Sequence, residues 1–440
     1  MSVRVDIRRD EALPEVSSLG RGLARRDALS LASWCALVLG VALWGRAVNE
    51  SYATNVLAPP LFGRFDLRVG PATLLCVAVA GTIIWFGPRA ARRLPWRSLL
   101  VATTLAASLW AVSLALVDGA GALTAPLSGP HDYLVNVDRI ESVSDFLAFY
   151  VEDLGALSLH AQGHPPGMTL IFWALAHLGL GGAVPATVLV LATGVSAAAA
   201  TMITVRATSD EPPARRLAPF FSLSPAAIWI ATSADAFFMG VSAWGIALLA
   251  LGARRRSDPL NLAAGGLLGL SLFLSYGVMS LGAVALAVVL VQRRVRPLVV
   301  AAAGVAAVVA VFAATGFWWP DGLSATVGRY EAGVASQRPF GYFVVANLGA
   351  FALALGPAVA VGLGRLRGSP ASPLVLAALV AVAAANVSGL SKGEVERIWL
   401  ILLPWVLAAC ASFELRRARG MLVLQSIAAL AIQTGVRTPW

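Results

Sequence analysis

PPGMTLIFWALAHLGLGG, residues 165–182, decides how the whole chain is threaded. The run is apolar for nearly the 20 residues that a helix needs to cross roughly 30 Å of hydrocarbon. If it crosses, every later connection changes side. If it enters and leaves on one face, the later connections keep theirs, and the arginines separate the two choices because Lys and Arg collect on the cytoplasmic side. With a block that does not cross, the inner segments gather Arg89, Arg92, Arg93 and Arg97, then Arg206, Arg215 and Arg216, Arg254 to Arg256, Arg293, Arg294 and Arg296, Arg365 and Arg367, and Arg416, Arg417 and Arg419. Together with the N-terminal tail they hold 24 of the 33 basic residues. A crossing block would send the distal fourteen of these outside. The sequence therefore predicts an embedded or re-entrant outer-side helix over 165–182.

Around this block lie thirteen apolar runs that read as spans, at 29–47, 70–87, 98–116, 186–204, 217–231, 236–252, 261–275, 278–291, 298–317, 342–364, 371–388, 399–413 and 420–433. The fold class expected is all-α, a polytopic membrane protein of about 13 transmembrane helices. Of the 440 residues, 58% are hydrophobic and 13% charged, and the mean hydropathy is +0.78, far from a soluble domain with roughly 25% charge. The formal charge of +10 is carried by loop arginines between apolar blocks, which argues against a nucleic-acid partner and for membrane lipids. Cys35, Cys76 and Cys410 all sit inside apolar runs, so a disulfide scaffold is excluded as well. Residues 1–28 are polar and lack the compact charged and apolar regions of a signal peptide, and they read as a cytoplasmic tail. Two spans follow within 29–97. The main membrane domain then runs from 98 to 440, with external loops at 118–163, 318–341 and 389–398. The C-terminus is expected outside.

Polar chemistry collects on the outer side. The segment 118–163 holds Asp118, Asp132, Asp138, Glu141, Asp145, Glu152 and Asp153 against one strong base, Arg139, and brings His131 and His160 close to His164. A loop this long needs internal structure or a function. Its apolar residues Leu134, Val137, Ile140, Val143, Phe146, Leu147 and Tyr150 recur at three and four, the pattern of an amphipathic interfacial helix. The chain returns to the membrane at His164-Pro165-Pro166-Gly167, where prolines suit a helix start. Asp235 falls at a second outer turn, as a turn cap or a functional carboxylate. NVSGLSKGEVERIW, residues 386–399, contains the only lysine, Lys392, with Glu394, Glu396 and Arg397. Arg397 suits a bidentate phosphate fork and Lys392 a point charge, with interfacial anchoring by Arg397 and Trp399 as the alternative. The segment 318–340 adds Trp318, Trp319, Asp321, Arg329, Tyr330, Glu331 and Arg338, rings that suit a sugar face or the membrane interface. His177 reads as a packing histidine. The histidine spacings make a weak zinc motif. A hard divalent cation, Mg or Mn, would favour carboxylates, with Asp132 and His164 as the candidate ligands.

In the order acidic outer loop, His164-Pro165-Pro166, embedded helix, arginine-bearing inner loop, then LSPAAIWIATSADAFFMG (223–240) and LLGLSLFLSYGVMSLGAVAL (267–286), the chain resembles the GT-C superfamily of integral-membrane glycosyltransferases. The likeness is to the group that includes protein O-mannosyltransferases and bacterial aminoarabinose transferases. It covers the chain from about residue 98, and residues 29–97 are extra to the simplest family arrangement. Members often carry an acidic pair early in the first large loop, where this chain has His131-Asp132. The resemblance implies transfer of a sugar from a polyprenyl-phosphate donor to an envelope glycan, lipid or protein acceptor at the outer face, with inversion. Asp132 or Asp138 would be the catalytic base. Arg397, with Lys392 or His164, would hold the donor phosphate, and Asp235, Glu394 and Tyr330 would orient the substrate. A transporter or flippase for lipid-linked sugars is the competing reading, weakened because almost every carboxylate lies outside the apolar cores. A noncatalytic assembly protein is the third.

Overall fold

A computed structural model describes residues 25–52 and 56–440, so most of the expected tail lies outside the described residues. The chain is nearly all helix. Among the described residues six helices are long and apolar enough to cross a membrane unaided: Arg25–Asn49, Pro71–Arg93, Trp96–Asp118, Ala183–Thr208, Asp235–Arg255 and Arg296–Ala314. Two bent pairs, Phe340–Leu355 with Pro357–Gly364 and Val395–Ile401 with Leu403–Ser412, bring the number to eight if each counts as one span. The protein is polytopic, and among the described residues the helices of full crossing length number six to eight, fewer than the thirteen runs that the apolar pattern marks out.

The other apolar runs are shorter or broken, for local reasons. Residues 217–231 divide into Glu211–Ser222 and Ala227–Ile230 around Ser224-Pro225. This stretch is buried on all sides, and the Trp110 Nε1–H donates to the Ser224 carbonyl at 3.1 Å, so protein replaces the missing helical partner. Broken backbone survives at membrane depth only in such an enclosed place. Residues 342–364 bend by 102° at Gly356, whose φ of +81° suits glycine. Gln425 closes that break. Its Nε2 donates to the Leu355 carbonyl at 2.7 Å and its Oε1 accepts from the Ala358 N–H at 3.0 Å. Residues 261–275 and 371–388 become helices of 15 and 16 residues, short for a bilayer. A two-residue antiparallel pairing, Arg64–Phe65 with Val436–Arg437, is the small departure from an all-helical fold.

The deciding block holds no helix of crossing length. Its helix, Gly167–His177, has 11 residues, roughly 16 Å at 1.5 Å per residue. The flanking helices run antiparallel. Near the start of the 183–208 helix, Thr187 donates to the carbonyl of Leu123, just beyond the 96–115 helix, at 3.0 Å, while Arg206 at its other end lies over the Trp96 ring at 4.6 Å. The intervening segment thus leaves and returns at one end of the molecule. The Gly167 N–H is held by the Phe273 carbonyl at 2.8 Å, and a Cβ there would lie 2.3 Å from that oxygen.

The 235–255 helix is the axis of the fold. Of its apolar window 83% is buried, against 11% for the lipid-facing 25–49 helix. It packs on the 183–208 helix through glycines: a Cβ on Gly240 would sit 2.2 Å from the Thr193 carbonyl oxygen. Small residues permit this closeness, and close packing is what holds helices together where lipid tails are as apolar as the side chains. The axis carries Asp235 to one end and Arg254 and Arg255 to the other.

Candidate functional site

Four charged or ionisable side chains from four separate stretches, Asp132, His160, Asp235 and Glu394, gather around Arg397. Asp132 arrives as the residue before the short helix Tyr133–Arg139, its Oδ1 accepting the Tyr133 N–H at 2.7 Å. The expected single amphipathic helix over 134–150 is two pieces, a 3-10 turn and Val143–Ala148, with Ile140, Leu147 and Tyr150 turned inward. Ser142 starts the second piece by accepting the Asp145 N–H at 3.4 Å. Asn136 then ties this segment to the next, donating to the Ser158 hydroxyl at 2.6 Å and accepting its N–H at 3.0 Å. The His160 N–H donates to the His131 carbonyl at 2.9 Å. These bonds set His160 opposite Asp132.

The His160 Nδ1 lies 3.0 Å from Asp132 Oδ2, and its Nε2 lies 3.3 Å from Arg397 Nη2. A guanidinium only donates, so Nε2 accepts and Nδ1 carries the proton toward Asp132. Arg397 Nη1 donates to Asp235 Oδ2 at 2.9 Å, and Nη2 also reaches Glu394 Oε2 at 2.5 Å. Asp235 takes a further bond from the Ser233 hydroxyl at 2.7 Å. Asp132, Asp235 and Arg397 are 4%, 3% and 5% exposed. Burying so many charges in a membrane protein is costly unless they are paired, and it marks function by default.

Glu394 stands apart: its side chain is 23% exposed and its backbone adopts a left-handed φ of +62°, a conformation unfavourable for a residue with a Cβ. The loop before it is clamped. Asn347 accepts the Gly393 N–H at 3.1 Å and donates to the Ser391 carbonyl at 2.6 Å. Glu396, fully buried, accepts the Phe62 N–H at 3.3 Å through Oε1, while its Oε2 has no hydrogen-bond partner among the described residues. Trp440 lays its ring 4.4 Å from the Arg397 guanidinium carbon and stacks on Phe62 at 5.4 Å. It is brought there by Arg68, which donates to the Gln433 and Val436 carbonyls and pairs with Asp118.

The remaining expected residues lie elsewhere. Asp138 is exposed, and among the described residues no hydrogen bond or ion pair joins it to the cluster. Lys392 donates to the Ser336 carbonyl at 2.7 Å and Tyr330 to the Gly389 carbonyl at 2.9 Å, so both tie the 318–341 and 389–398 loops together. His164 is buried with its Nδ1 3.3 Å from the Leu274 carbonyl, and it packs against Tyr133 and Phe238. Burial pushes its imidazole down to about 4, partly offset by nearby Asp235. Tyr133, also buried and close to Asp235 and Asp132, is pushed well up.

The terminal nitrogens of Arg397 serve two carboxylates and a histidine, so a phosphate would have to displace one of these partners to reach its fork. Asp132 and His164 each have their own partner, and among the described residues no three His, Cys, Asp or Glu side chains converge as a metal-ligand set. His160 and Trp440 are the members that the sequence did not single out. The sign for His160 was its i, i+4 spacing from His164 in the polar loop; Trp440 gave none, because its approach depends on the strand pairing.

No protein-family model and no curated protein matches this sequence. Among solved structures, one of Archaeoglobus fulgidus oligosaccharyltransferase in complex with Zn and sulfate is similar to it with a TM-score of 0.43 and 14% identity, over 78% of this chain and 54% of that one. This chain thus spans about half the length of that one.

Proposed function

We propose that the protein is an integral-membrane glycosyltransferase of GT-C type, which moves a sugar from a polyprenyl-phosphate donor to an envelope glycan, lipid or protein acceptor at the outer face of the membrane. The observation that carries this reading is the chain of bonds Asp132–His160–Arg397–Asp235, buried but for the half-buried His160, at one end of an otherwise apolar helical body. Asp132 is the base. Each of its oxygens accepts one bond from the protein and keeps a second lone pair for an acceptor hydroxyl. As the acceptor oxygen attacks the anomeric carbon, its proton passes to Asp132. The bond between that carbon and the phosphate oxygen breaks on the opposite face, and the lipid phosphate leaves with the electron pair. A general base contributes typically about 10²–10⁴-fold.

Arg397 supplies the positive charge for the leaving phosphate once Glu394 yields, since Glu394 is the more exposed of its two carboxylate partners and stands on the unfavourable backbone. Preorganised donors of this kind stabilise charge that develops in the transition state. His160 is a positioning residue, holding Asp132 against Arg397. The donor's isoprenoid tail lies between spans, and the 98–440 region forms the catalytic body.

The test is reconstitution of the purified protein with labelled polyprenyl-phosphate sugars and a panel of envelope lipids and glycans, comparing wild type with Asp132→Asn. Transfer lost in the variant, at unchanged thermal midpoint, supports the reading. No transfer from any donor, with labelled lipid instead crossing the bilayer, would replace it with a flippase.

A further inference from the structure

At the end of the molecule opposite the acidic cluster, three helix ends enclose a cavity of about 630 Å³ lined by Trp96, Arg97, Arg206, Arg254 and Arg255 above Leu100, Ile203 and Leu251. The arginines come from three different helices, the start of 96–115 and the ends of 183–208 and 235–255, so the fold itself assembles this charge. Arg206 lies over the Trp96 ring at 4.6 Å and Arg215 at 5.9 Å. Glu211 pairs with Arg206 at 2.7 Å and with Arg215 at 2.6 Å. It is the only carboxylate among the described ion pairs that reaches any of these arginines. Arg254 donates to the Arg206 carbonyl at 2.5 Å. Arg97 and Arg255 are exposed and have no hydrogen bond or ion pair among the described residues. The excess is strongly positive, and like charges held together repel unless an anion joins them.

We propose that this cavity binds the phosphate headgroup of an anionic membrane phospholipid. Arg97 and Arg255 contact the phosphate, Trp96 and Arg206 form one wall, and Leu100, Ile203 and Leu251 receive the first methylenes of the acyl chains. Two features select a lipid over free phosphate. The floor is apolar, and the cavity lies where spanning helices end, at the level of lipid headgroups; basic pockets between helix ends are a recurring headgroup site. The site is independent of the glycosyltransferase reading, since it lies at the other end of the central helix.

The experiment uses the full chain in neutral detergent and follows retention of added phosphatidylglycerol and phosphatidylcholine by native mass spectrometry, with inorganic phosphate as a separate arm. Phosphatidylglycerol is expected to be retained selectively, and its dissociation constant to rise about thirtyfold in the double variant Arg97→Gln/Arg255→Gln, taking the usual effect of one arginine near an anionic headgroup. The thermal midpoint of that variant without lipid should be no lower than that of wild type, because neither side chain has a hydrogen bond or ion pair among the described residues and their removal relieves like-charge repulsion. Arg416→Gln/Arg417→Gln, which removes two exposed arginines outside the cavity lining, should retain the lipid. Equal retention of the two lipids, equal loss in both variant pairs, or displacement of the lipid by millimolar inorganic phosphate would each overturn the proposal.

Discussion

Asp132 and Asp138 are both carboxylates in one acidic loop, and six residues along the chain decide their different fates. Asp138 faces solvent, whereas Asp132 is buried and bonded to His160. Turnover in Asp132→Asn is expected to fall about 10²–10⁴-fold, and in Asp138→Asn to stay near wild type; equal losses would mean that the cluster is not the reacting centre. Arg397→Met leaves Asp235 buried without its counter-charge, which costs about 3–5 kcal/mol, and a scan of thermal unfolding in detergent should register it as a large loss of midpoint. His164 sets a pH dependence. Its folded-state imidazole is held at about 4 against the ordinary 6.5, so between these values the unfolded chain binds a proton that the folded chain refuses. The neutral form's contribution is complete above 6.5 and is lost as the pH falls toward 4, by about 3 kcal/mol in all. The midpoint difference between wild type and His164→Gln, followed from pH 7 to pH 4, should shrink accordingly; a constant difference would remove His164 as the cause.

Among the helices, those that the apolar pattern placed well are the ones that face lipid or stand alone, such as 71–93, 96–115 and 296–314. Those it misjudged are enclosed: 217–231 and 342–364 are apolar throughout, yet broken. Hydropathy cannot distinguish a continuous helix from a broken one when neighbouring side chains, Trp110 and Gln425, supply the missing backbone partners. Gln425→Leu should therefore be destabilising by about 1–3 kcal/mol for each backbone group left unpaired, although leucine is the more apolar residue. Gly240→Ala should cost about 1–3 kcal/mol through overpacking against Thr193, read as a lower thermal midpoint with no change in the pH profile of turnover.

At the scale of the whole molecule, the arginine count and the helix geometry meet at residues 165–182. Charge placement argued that this block does not cross, and the antiparallel packing of 96–115 against 183–208 requires the same. On a Cys35→Ser background, Glu152→Cys should be labelled by an impermeant thiol reagent from outside intact cells and Arg417→Cys only after lysis; the reverse pattern would invert the proposed orientation. Membrane character and the separation of acidic loops from arginine-rich ones were legible directly, because both are sums over many residues and survive errors in any one of them. The polar loops also pointed to Asp132, Asp235, Glu394 and Arg397 as candidates. What the linear order could not contain was their mutual geometry. Asp132 and Arg397 are linked through His160 across 237 positions between the histidine and the arginine, and Trp440 reaches the same guanidinium because Arg68 and a two-residue strand pairing with residues 64–65 hold the terminal segment there. Such contacts depend on the close approach of segments far apart in sequence, which adds Asp235 to the local partner Glu394 of Arg397 and so decides what its charge is free to do.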